Sequence, residues 1–246
     1  MVVSATRMTL TLYHQPRFRD ACGSEFRPGG LPLTAELAEL CRLTPGLQVL
    51  DLGCGVGSTA SFLARQFGVE TVGLDSSSAS LAEAQANDQG VSWVLGRAEQ
   101  IPFPDKHFDV CMCECFLSAV EEPAVVLREI RRVLRPTGLL AVTDVYLRRP
   151  SAGDTLKNLS PQVCLRGALG QQETKARFDD GGFEVCFWQD RSDALKSLMA
   201  ALVFAYGSSA TFWKALLGEE AGQSAVVQAA RPGYYLLLAR PRPAAA

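Results

Sequence analysis

This chain of 246 residues contains little histidine and has no excess of positive charge. Neither of the two histidines, His14 and His107, stands near a cysteine pair at zinc-ligand spacing, so we expect no metal site and no histidine-based catalysis. The 24 basic residues are outnumbered by 26 acidic ones, which argues against a nucleic acid partner. No apolar run reaches membrane-spanning length and the N-terminus has no signal-peptide pattern, so we expect no membrane partner.

Cysteine, by contrast, occurs eight times. A chain of this length with 48% apolar residues does not need a disulfide framework, so we expect free thiols in a reducing cytoplasm. The composition is typical of a globular protein, for which we expect a monomer or a homodimer. An apolar helix predicted over residues 193–206 fits either a dimer face or a packed insertion.

Strand and helix patterns alternate between about residue 33 and residue 146. The predicted strands are apolar throughout, as in a parallel sheet buried on both faces, and cover Gln48–Leu52, Thr71–Asp75, Val91–Leu95, Phe108–Cys113 and Gly138–Tyr146. The predicted helices are Thr34–Leu43, with Thr34 as its cap, Ser58–Phe67, Ser78–Asn87 and Pro123–Leu134. This alternation predicts an α/β, Rossmann-like sheet of seven mostly parallel strands with helices on both faces.

The rest of the chain is predicted to complete one domain over residues 1–240. We expect an N-terminal lid over 1–32, a core over 33–146, and a substrate-side loop followed by a helical insertion before the last strand. The later elements are a loop over 147–161, helices over 170–180, 193–206 and 211–217, strands over 183–188 and 233–240, and a disordered tail over 241–246.

A glycine-rich turn follows the first predicted strand. It reads Asp51-Leu52-Gly53-Cys54-Gly55-Val56-Gly57, with three glycines at alternate positions before a helix. Missing Cβ atoms let this backbone approach a ligand closely, and the helix N-terminus behind it favours polar ligand groups. The spacing differs from the G-x-G-x-x-G of dinucleotide-binding turns, and the Asp51 carboxylate would repel a pyrophosphate but attract an amino group.

A second acid, Asp75, ends the second predicted strand, eighteen residues after Gly57. A carboxylate at this place can accept hydrogen bonds from both hydroxyls of a ribose. The alternative is that Asp75 only caps the next helix.

Five ordered segments together resemble the class I methyltransferases that depend on S-adenosyl-L-methionine (SAM). They are residues 51–57, Gly73-Leu74-Asp75, Gly96-Arg97-Ala98-Glu99 with Ile101-Pro102-Phe103, Phe108-Asp109-Val110, and Leu134-Arg135-Pro136-Thr137-Gly138. The resemblance covers roughly residues 30–146 and implies a SAM-dependent enzyme that methylates a small molecule.

The resemblance also implies a set of cofactor-binding residues. In it, Asp51 and Gly53 hold the methionine end, Asp75 binds the ribose, and Ala98 and Glu99 contact the adenine. Backbone near Cys113 contacts the methionine amino group. For Glu99 the alternative is a solvated side chain with no contact to the adenine. The full set is Asp51, Gly53, Cys54, Gly55, Gly57, Asp75, Ser76, Ala98, Glu99 and Cys113.

Cysteines cluster at the exit of the fourth predicted strand, in Cys111-Met112-Cys113-Glu114-Cys115. We expect Cys111 and Cys113 to be small buried residues, whereas Cys115 lies beyond the strand and can face a bound methyl group. Three segments resemble the arsenite methyltransferases: Glu114-Cys115-Phe116-Leu117-Ser118, Thr143-Asp144-Val145-Tyr146 and Cys164-Leu165-Arg166-Gly167-Ala168-Leu169.

This narrower resemblance implies that Cys115 and Cys164 hold trivalent arsenic as a thiolate pair. The chain departs from that family at Glu114 and Ser118, where the family has asparagines, and Cys22 stands in a different context from the family's N-terminal cysteine motif. A small organic or thiol-containing acceptor, with Cys164 as a packing residue, is therefore the broader expectation.

A general base is only weakly indicated. The candidates are Glu114, Asp144 and Tyr13, although positioning alone can drive methyl transfer from an activated sulfonium. Arg27 either pairs with the methionine carboxylate or is solvated. Two other classes compete: a non-catalytic SAM-binding protein and a nicotinamide dehydrogenase, and the glycine spacing and Asp51 argue against the second.

Overall fold

The computed structural model describes residues 18, 20, 23, 25, 27–150, 156, 164–217 and 224–243. Most of the predicted lid over 1–32, including Tyr13 and Cys22, lies outside these residues, as do most of the loop over 147–161 and the end of the tail.

A single sheet of seven strands forms the centre of the described structure. The strands are β1 Gln48–Leu52, β2 Glu70–Asp75, β3 Ser92–Leu95, β4 Phe108–Glu114, β5 Leu134–Leu147, β6 Phe183–Asp190 and β7 Pro232–Pro241. Their order is β3-β2-β1-β4-β5-β7-β6, and only β7 runs antiparallel to its neighbours. The predicted seven-stranded, mostly parallel sheet is thereby confirmed.

Helices cover both faces of the sheet. They are α1 Gly30–Leu40, α2 Ser58–Phe67, α3 Ser78–Asn87, α4 Pro123–Val133, α5 Gln171–Asp180, α6 Ser192–Tyr206, α7 Ser209–Leu217 and α8 Ser224–Ala230, with a 3₁₀ turn at Cys164–Gly167. One apolar core holds side chains of α1, α2, α6, α7 and α8 against one face. The other holds side chains of α4 and α5. The side of α6 that faces the sheet is therefore packed in the core, as the alternative of a packed insertion predicted.

No single described helix is long and apolar enough to cross a bilayer. Helices α6 and α7 satisfy that test of length and composition only as a pair, and they are bent by 100° to each other.

Several predicted boundaries were wrong. Helix α1 begins four residues before the predicted Thr34, after Gly29 in the left-handed conformation, so Thr34 is a buried helical residue and not a cap. Strand β5 begins at Leu134, where it pairs with Phe108 before a register shift. Strand β7 runs to Pro241, and Arg242 N donates to Gly182 O at 2.8 Å, so the predicted tail is ordered there. Helix α8 was not predicted.

Glycines at 57 and 73 make room for one indole ring. A Cβ at Gly73 would lie 2.5 Å from the Trp93 ring, and one at Gly57 would lie 2.3 Å from it. The ring cannot easily retreat, because Trp93 Nε1 donates to Asp88 O at 2.8 Å. The start of α2 and strand β2 therefore both pack against Trp93 of β3.

We expect Gly73→Ala to lower the free energy of unfolding by about 1–3 kcal/mol, because the added methyl group overlaps a fixed ring. Urea unfolding followed by circular dichroism measures the change. The control is Gly90→Ala, where the nearest contact is a flexible Asp88 carboxylate oxygen at 3.3 Å. Equal effects of the two substitutions would contradict the proposed packing.

Candidate functional site

The turn between β1 and α2 is tied to the neighbouring strand. Gly53 N and Cys54 N both donate to Leu74 O, at 2.8 and 3.1 Å. Gly53, Gly55 and Gly57 all have positive φ, at 77°, 54° and 84°, so this turn needs glycine at each position.

The three glycines nevertheless meet different surroundings. A Cβ on Gly53 would lie 2.3 Å from the Phe116 ring, and one on Gly57 would meet Trp93. Gly55 has nothing within 4 Å on that side. Only Gly55 therefore presents an open backbone, whereas Gly53 and Gly57 accommodate aromatic side chains.

Asp75 connects two turns at the carboxyl edge of the sheet. Its Oδ2 accepts a hydrogen bond from Gly55 N at 2.9 Å, and its Oδ1 accepts one from Ser77 N at 2.8 Å. The cap of α3 is Ser77, whose Oγ accepts from Ser80 N, so the alternative that Asp75 caps this helix is wrong. Each carboxylate oxygen keeps a second acceptor position for a ligand hydroxyl.

A cavity of about 200 Å³ opens beside Asp75. Five of the predicted cofactor residues line it: Gly53, Asp75, Ser76, Ala98 and Glu99. The remaining lining residues are Leu52, Leu74, Gly96, Arg97, Phe116 and Val120. The carboxyl edges of β1 and β2 and the segment after β3 thus converge on one polar-edged pocket.

The other predicted cofactor residues lie outside this lining. Cys54 is buried, with its Sγ close to Gly73, and the side chain of Cys113 is fully buried in β4. Cys111 is buried in the same strand, as predicted. Asp51 is 3% exposed and accepts from Ala60 N at 3.1 Å.

A buried cluster of charges lies beside Asp51. Arg27 NH2 pairs with Glu114 Oε2 at 2.9 Å, with side-chain exposures of 7% and 3%. Arg27 also donates to Thr34 and to Glu25 O, so it is not a solvated arginine. Within the described residues, its Nε is buried without a hydrogen-bond partner. This orphaned donor fits a carboxylate ligand.

Glu114 has more partners than a general base would have. Thr34 Oγ1 donates to its carboxylate at 3.1 Å and Thr59 Oγ1 at 2.7 Å, in addition to the ion pair with Arg27. Glu114 thereby joins the N-terminal segment, α1 and α2. These bonds hold the three elements together, and they do not favour the predicted role of Glu114 as a base.

The cluster holds two carboxylates, Asp51 and Glu114, but one guanidinium, that of Arg27. Burial, followed by repulsion from Glu114, raises the pKa of Asp51 from 3.8 to about 7, although Arg27 and the Ala60 amide oppose the shift. The ligand-free site therefore carries one acid that readily holds a proton near neutral pH. A cationic ammonium group would remove this imbalance.

Two of the cysteines meet where β4 ends. Interaction with the Cys164 side chain, followed by burial, raises the pKa of Cys115 well above its ordinary value. Cys115 has the left-handed φ of 54°, and its N donates to Thr143 O at 2.7 Å. The structure thus brings together the two thiols predicted as a pair.

Asp144, another candidate base, is 1% exposed at the end of β5. It accepts hydrogen bonds from Ser118 N, Ser118 Oγ and Val145 N at 2.8, 2.6 and 2.7 Å. Burial raises its pKa despite these bonds. Its acceptor positions are directed at the protein, which does not favour a role as a base.

Sequence reasoning missed several residues of the site. Phe116 covers Gly53, and the Tyr234 hydroxyl donates at 3.1 Å to Oγ1 of Thr143, the residue whose carbonyl oxygen accepts from Cys115 N. An aromatic residue directly after a strand-end cysteine was a usable signal for Phe116. Nothing local pointed to Tyr234, because it lies 91 residues after Thr143 in the sequence.

Comparisons with known proteins agree with this geometry. A family profile for the methyltransferase domain matches residues 50–142. Phosphoethanolamine N-methyltransferase 3 of Arabidopsis thaliana is 30% identical over 186 residues, which are 70% of this chain and 36% of that protein. An uncharacterized protein of Haemophilus influenzae is 31% identical over 169 residues, 65% of this chain and 67% of that one.

Arsenite methyltransferase of Halobacterium salinarum is 29% identical over 150 residues, 58% of this chain and 38% of that enzyme. The chain thus spans between about a third and two thirds of the length of these relatives.

Two solved structures have the same fold. The [4+2]-cyclase SpnF has a TM-score of 0.75 at 24% identity, covering 97% of this chain and 94% of that one. Phosphoethanolamine N-methyltransferase 2 of Haemonchus contortus, in complex with SAM, has a TM-score of 0.76 at 16% identity, covering 98% and 59%. The chain belongs to the class I methyltransferases, the family with SAM as cofactor, as its motifs predicted.

The raised pKa of Asp51 predicts a pH dependence of stability without ligand. Between about pH 4 and pH 7 the folded chain keeps a proton that the unfolded chain has lost, so the Asp51 contribution to stability falls as the pH rises through that range. Asp51→Asn has no such titration and should gain stability relative to wild type from about pH 5 to about pH 8.

Urea unfolding of both proteins at the two pH values measures this difference. Asp144, whose pKa is raised in the same direction, is present in both proteins and cancels. Parallel pH profiles would show that Asp51 titrates as an exposed acid does.

Proposed function

We propose that this protein transfers a methyl group from SAM to a small-molecule acceptor. The observation that carries the proposal is the cavity between the β1–α2 turn and the segment Gly96–Glu99, with Asp75 at its edge. Its shape and polarity suit the adenosine part of SAM, with Asp75 and Ser76 at the ribose and Ala98 and Glu99 at the adenine.

The buried charges suit the methionine part of SAM. Its α-ammonium group would supply a second positive charge beside Asp51 and Glu114. Its carboxylate would engage Arg27 Nε, which has no hydrogen-bond partner among the described residues. The glycine turn at Gly53 and Gly55 and the backbone of β4 near Cys113 would hold the chain between these ends. The side chains of Cys54 and Cys113 pack in the core and add no contact of their own.

Methyl transfer at this site needs alignment more than acid–base chemistry. Bound SAM would supply an activated methyl group: the acceptor's lone pair would form a bond to the methyl carbon as the carbon–sulfur bond breaks, with S-adenosylhomocysteine as the leaving group. Glu114 and Asp144 are engaged with other protein groups, which supports a mechanism without a general base.

The thiols support a cytoplasmic location, and we infer action there as a monomer or homodimer. Seven cysteines are described, and all seven are free. Free thiols of this number persist in a reducing compartment.

We expect Asp75→Ala to weaken SAM binding by about tenfold or more, because charged hydrogen-bonding partners contribute about 1.5–3 kcal/mol each. Titration calorimetry with SAM measures the affinity. Asp109→Ala is the matched control, because the Asp109 carboxylate also accepts a backbone N–H, from Gln48 at 2.9 Å, but lies at the start of β4. Unchanged affinity in Asp75→Ala would disprove the ribose assignment.

A second candidate is methylation of arsenite, favoured by the contact between Cys115 and Cys164. Each arsenic–sulfur bond would form as a thiol proton and an arsenic hydroxide leave together as water, so a protonated Cys115 is compatible with capture. The arsenic lone pair would then attack the methyl group of SAM. The likeness to an archaeal arsenite methyltransferase also supports this candidate.

Transfer from labelled SAM to arsenite, with a small thiol present, tests this candidate. We expect product from wild type and from the exposed-thiol control Cys186→Ser, and loss of product in Cys115→Ser and Cys164→Ser. If wild type binds SAM but makes no methylated arsenic, arsenite is excluded as the acceptor and small organic molecules are tested next. If S-adenosylhomocysteine is formed with none of the acceptors tried, the protein binds SAM without transferring its methyl group.

A further inference from the structure

The two thiols lie on separate segments that meet at Ser118. This residue follows Cys115 by three positions, in the segment that connects β4 to α4, and is 6% exposed. Gly167 follows Cys164 by three positions and ends the 3₁₀ turn. A Cβ on Gly167 would lie 2.2 Å from Ser118 O, so the two segments touch through bare backbone.

Asp144 fixes the Ser118 side of this contact. Its Oδ2 accepts from Ser118 N at 2.8 Å and its Oδ1 from Ser118 Oγ at 2.6 Å, while Val145 N holds the carboxylate to β5. Charge-assisted bonds of this length are among the stronger hydrogen bonds in proteins. The Ser118 backbone therefore has little freedom to move relative to the sheet.

The first residue of the Cys115 segment is fixed as well. Cys115 N donates to Thr143 O, the residue before Asp144 on the same strand. The segment from Cys115 to Ser118 is thus tied to β5 at both ends. The Cys164 turn has its place against this segment set by the absence of a side chain at Gly167.

We propose that Asp144, Ser118 and Gly167 are positioning residues that set the separation of the Cys115 and Cys164 thiols. The inference takes its chemical purpose from the proposed acceptor site, but the geometry does not depend on which acceptor is methylated. Two thiols that bind one atom together must be held within a narrow range of sulfur–sulfur distances.

The surroundings of Asp144 exclude direct contact with an acceptor. The cavity that it lines with Ser118, Gly167, Arg177 and Tyr235 has a volume of about 10 Å³, room for no more than a water molecule. Asp144 therefore acts on the thiols through Ser118.

A bifunctional thiol reagent tests this inference without any methyl transfer. Dibromobimane becomes strongly fluorescent when both of its arms have alkylated thiols, each forming a carbon–sulfur bond with release of bromide and a proton. The rate in wild type minus the rate in Cys115→Ser or Cys164→Ser is the rate for this pair alone. A wild type whose rate equals that of both serine variants would overturn the proposed juxtaposition.

We expect Asp144→Ala and Gly167→Ala to slow cross-linking of the pair by about tenfold, because small displacements of reacting groups have large effects on rate. Asp144→Asn should restore most of the rate, since its amide oxygen accepts from Ser118 N and its NH₂ group can donate to Ser118 Oγ. Ser118→Ala removes one hydroxyl only and should show a smaller loss in a folded protein.

The control is again Asp109→Ala, which loses a carboxylate at the other end of β4. A wild-type rate in Asp144→Ala, or an equal loss in Asp109→Ala, would refute the positioning role. SAM affinity and methyl transfer are measured separately on the same variants. Absence of transfer with the expected cross-linking pattern would refute the proposed function alone.

Discussion

The carboxylate of Asp75 bonds to backbone N–H groups of two different turns, one after β1 and one after β2. These bonds orient both oxygens before any ligand arrives, so a ribose would meet acceptors that are already in place. They also fix the backbone of Gly55, the one glycine of the turn whose Cβ side faces open space. The turn after β1 and the turn after β2 are thereby held together at the carboxyl edge of the sheet.

A second constraint is electrostatic. Asp51 and Glu114 are buried with a single arginine, and burial of unequal charge is costly to a folded chain. The fold tolerates this cost at a place where a cationic ligand group would offset it. Stability and ligand recognition are thus opposed at Asp51, as they commonly are in active sites.

Much of the core was predictable because its signals are local. Strand β1 and helices α2 and α3 have the predicted bounds, since apolar runs, glycines and a serine cap mark them in the sequence. The place of Asp75 beside the cavity was predictable because its position at a strand end needs no knowledge of distant contacts.

Other features depend on tertiary contacts that no local pattern encodes. Arg27 reads as a solvated residue until Glu114, 87 positions away, is placed beside it. Thr34 reads as a helix cap until its hydroxyl is seen on the same carboxylate. Gly53 lines the cavity as a glycine of this turn would, but its need for glycine is explained only when the Phe116 ring is seen beside it. In each case the residue type was informative, but its partner was supplied by folding.

Cys115 adopts a left-handed backbone conformation that costs a residue with a side chain about 1–2 kcal/mol, whereas glycine would adopt it freely. Backbone preference and the identity of the side chain therefore disagree at this position. A cysteine whose only duty was to fill space could be replaced there by glycine with relief of strain. The left-handed conformation at residue 115 is therefore a cost that the fold bears in order to carry a side chain at the end of β4.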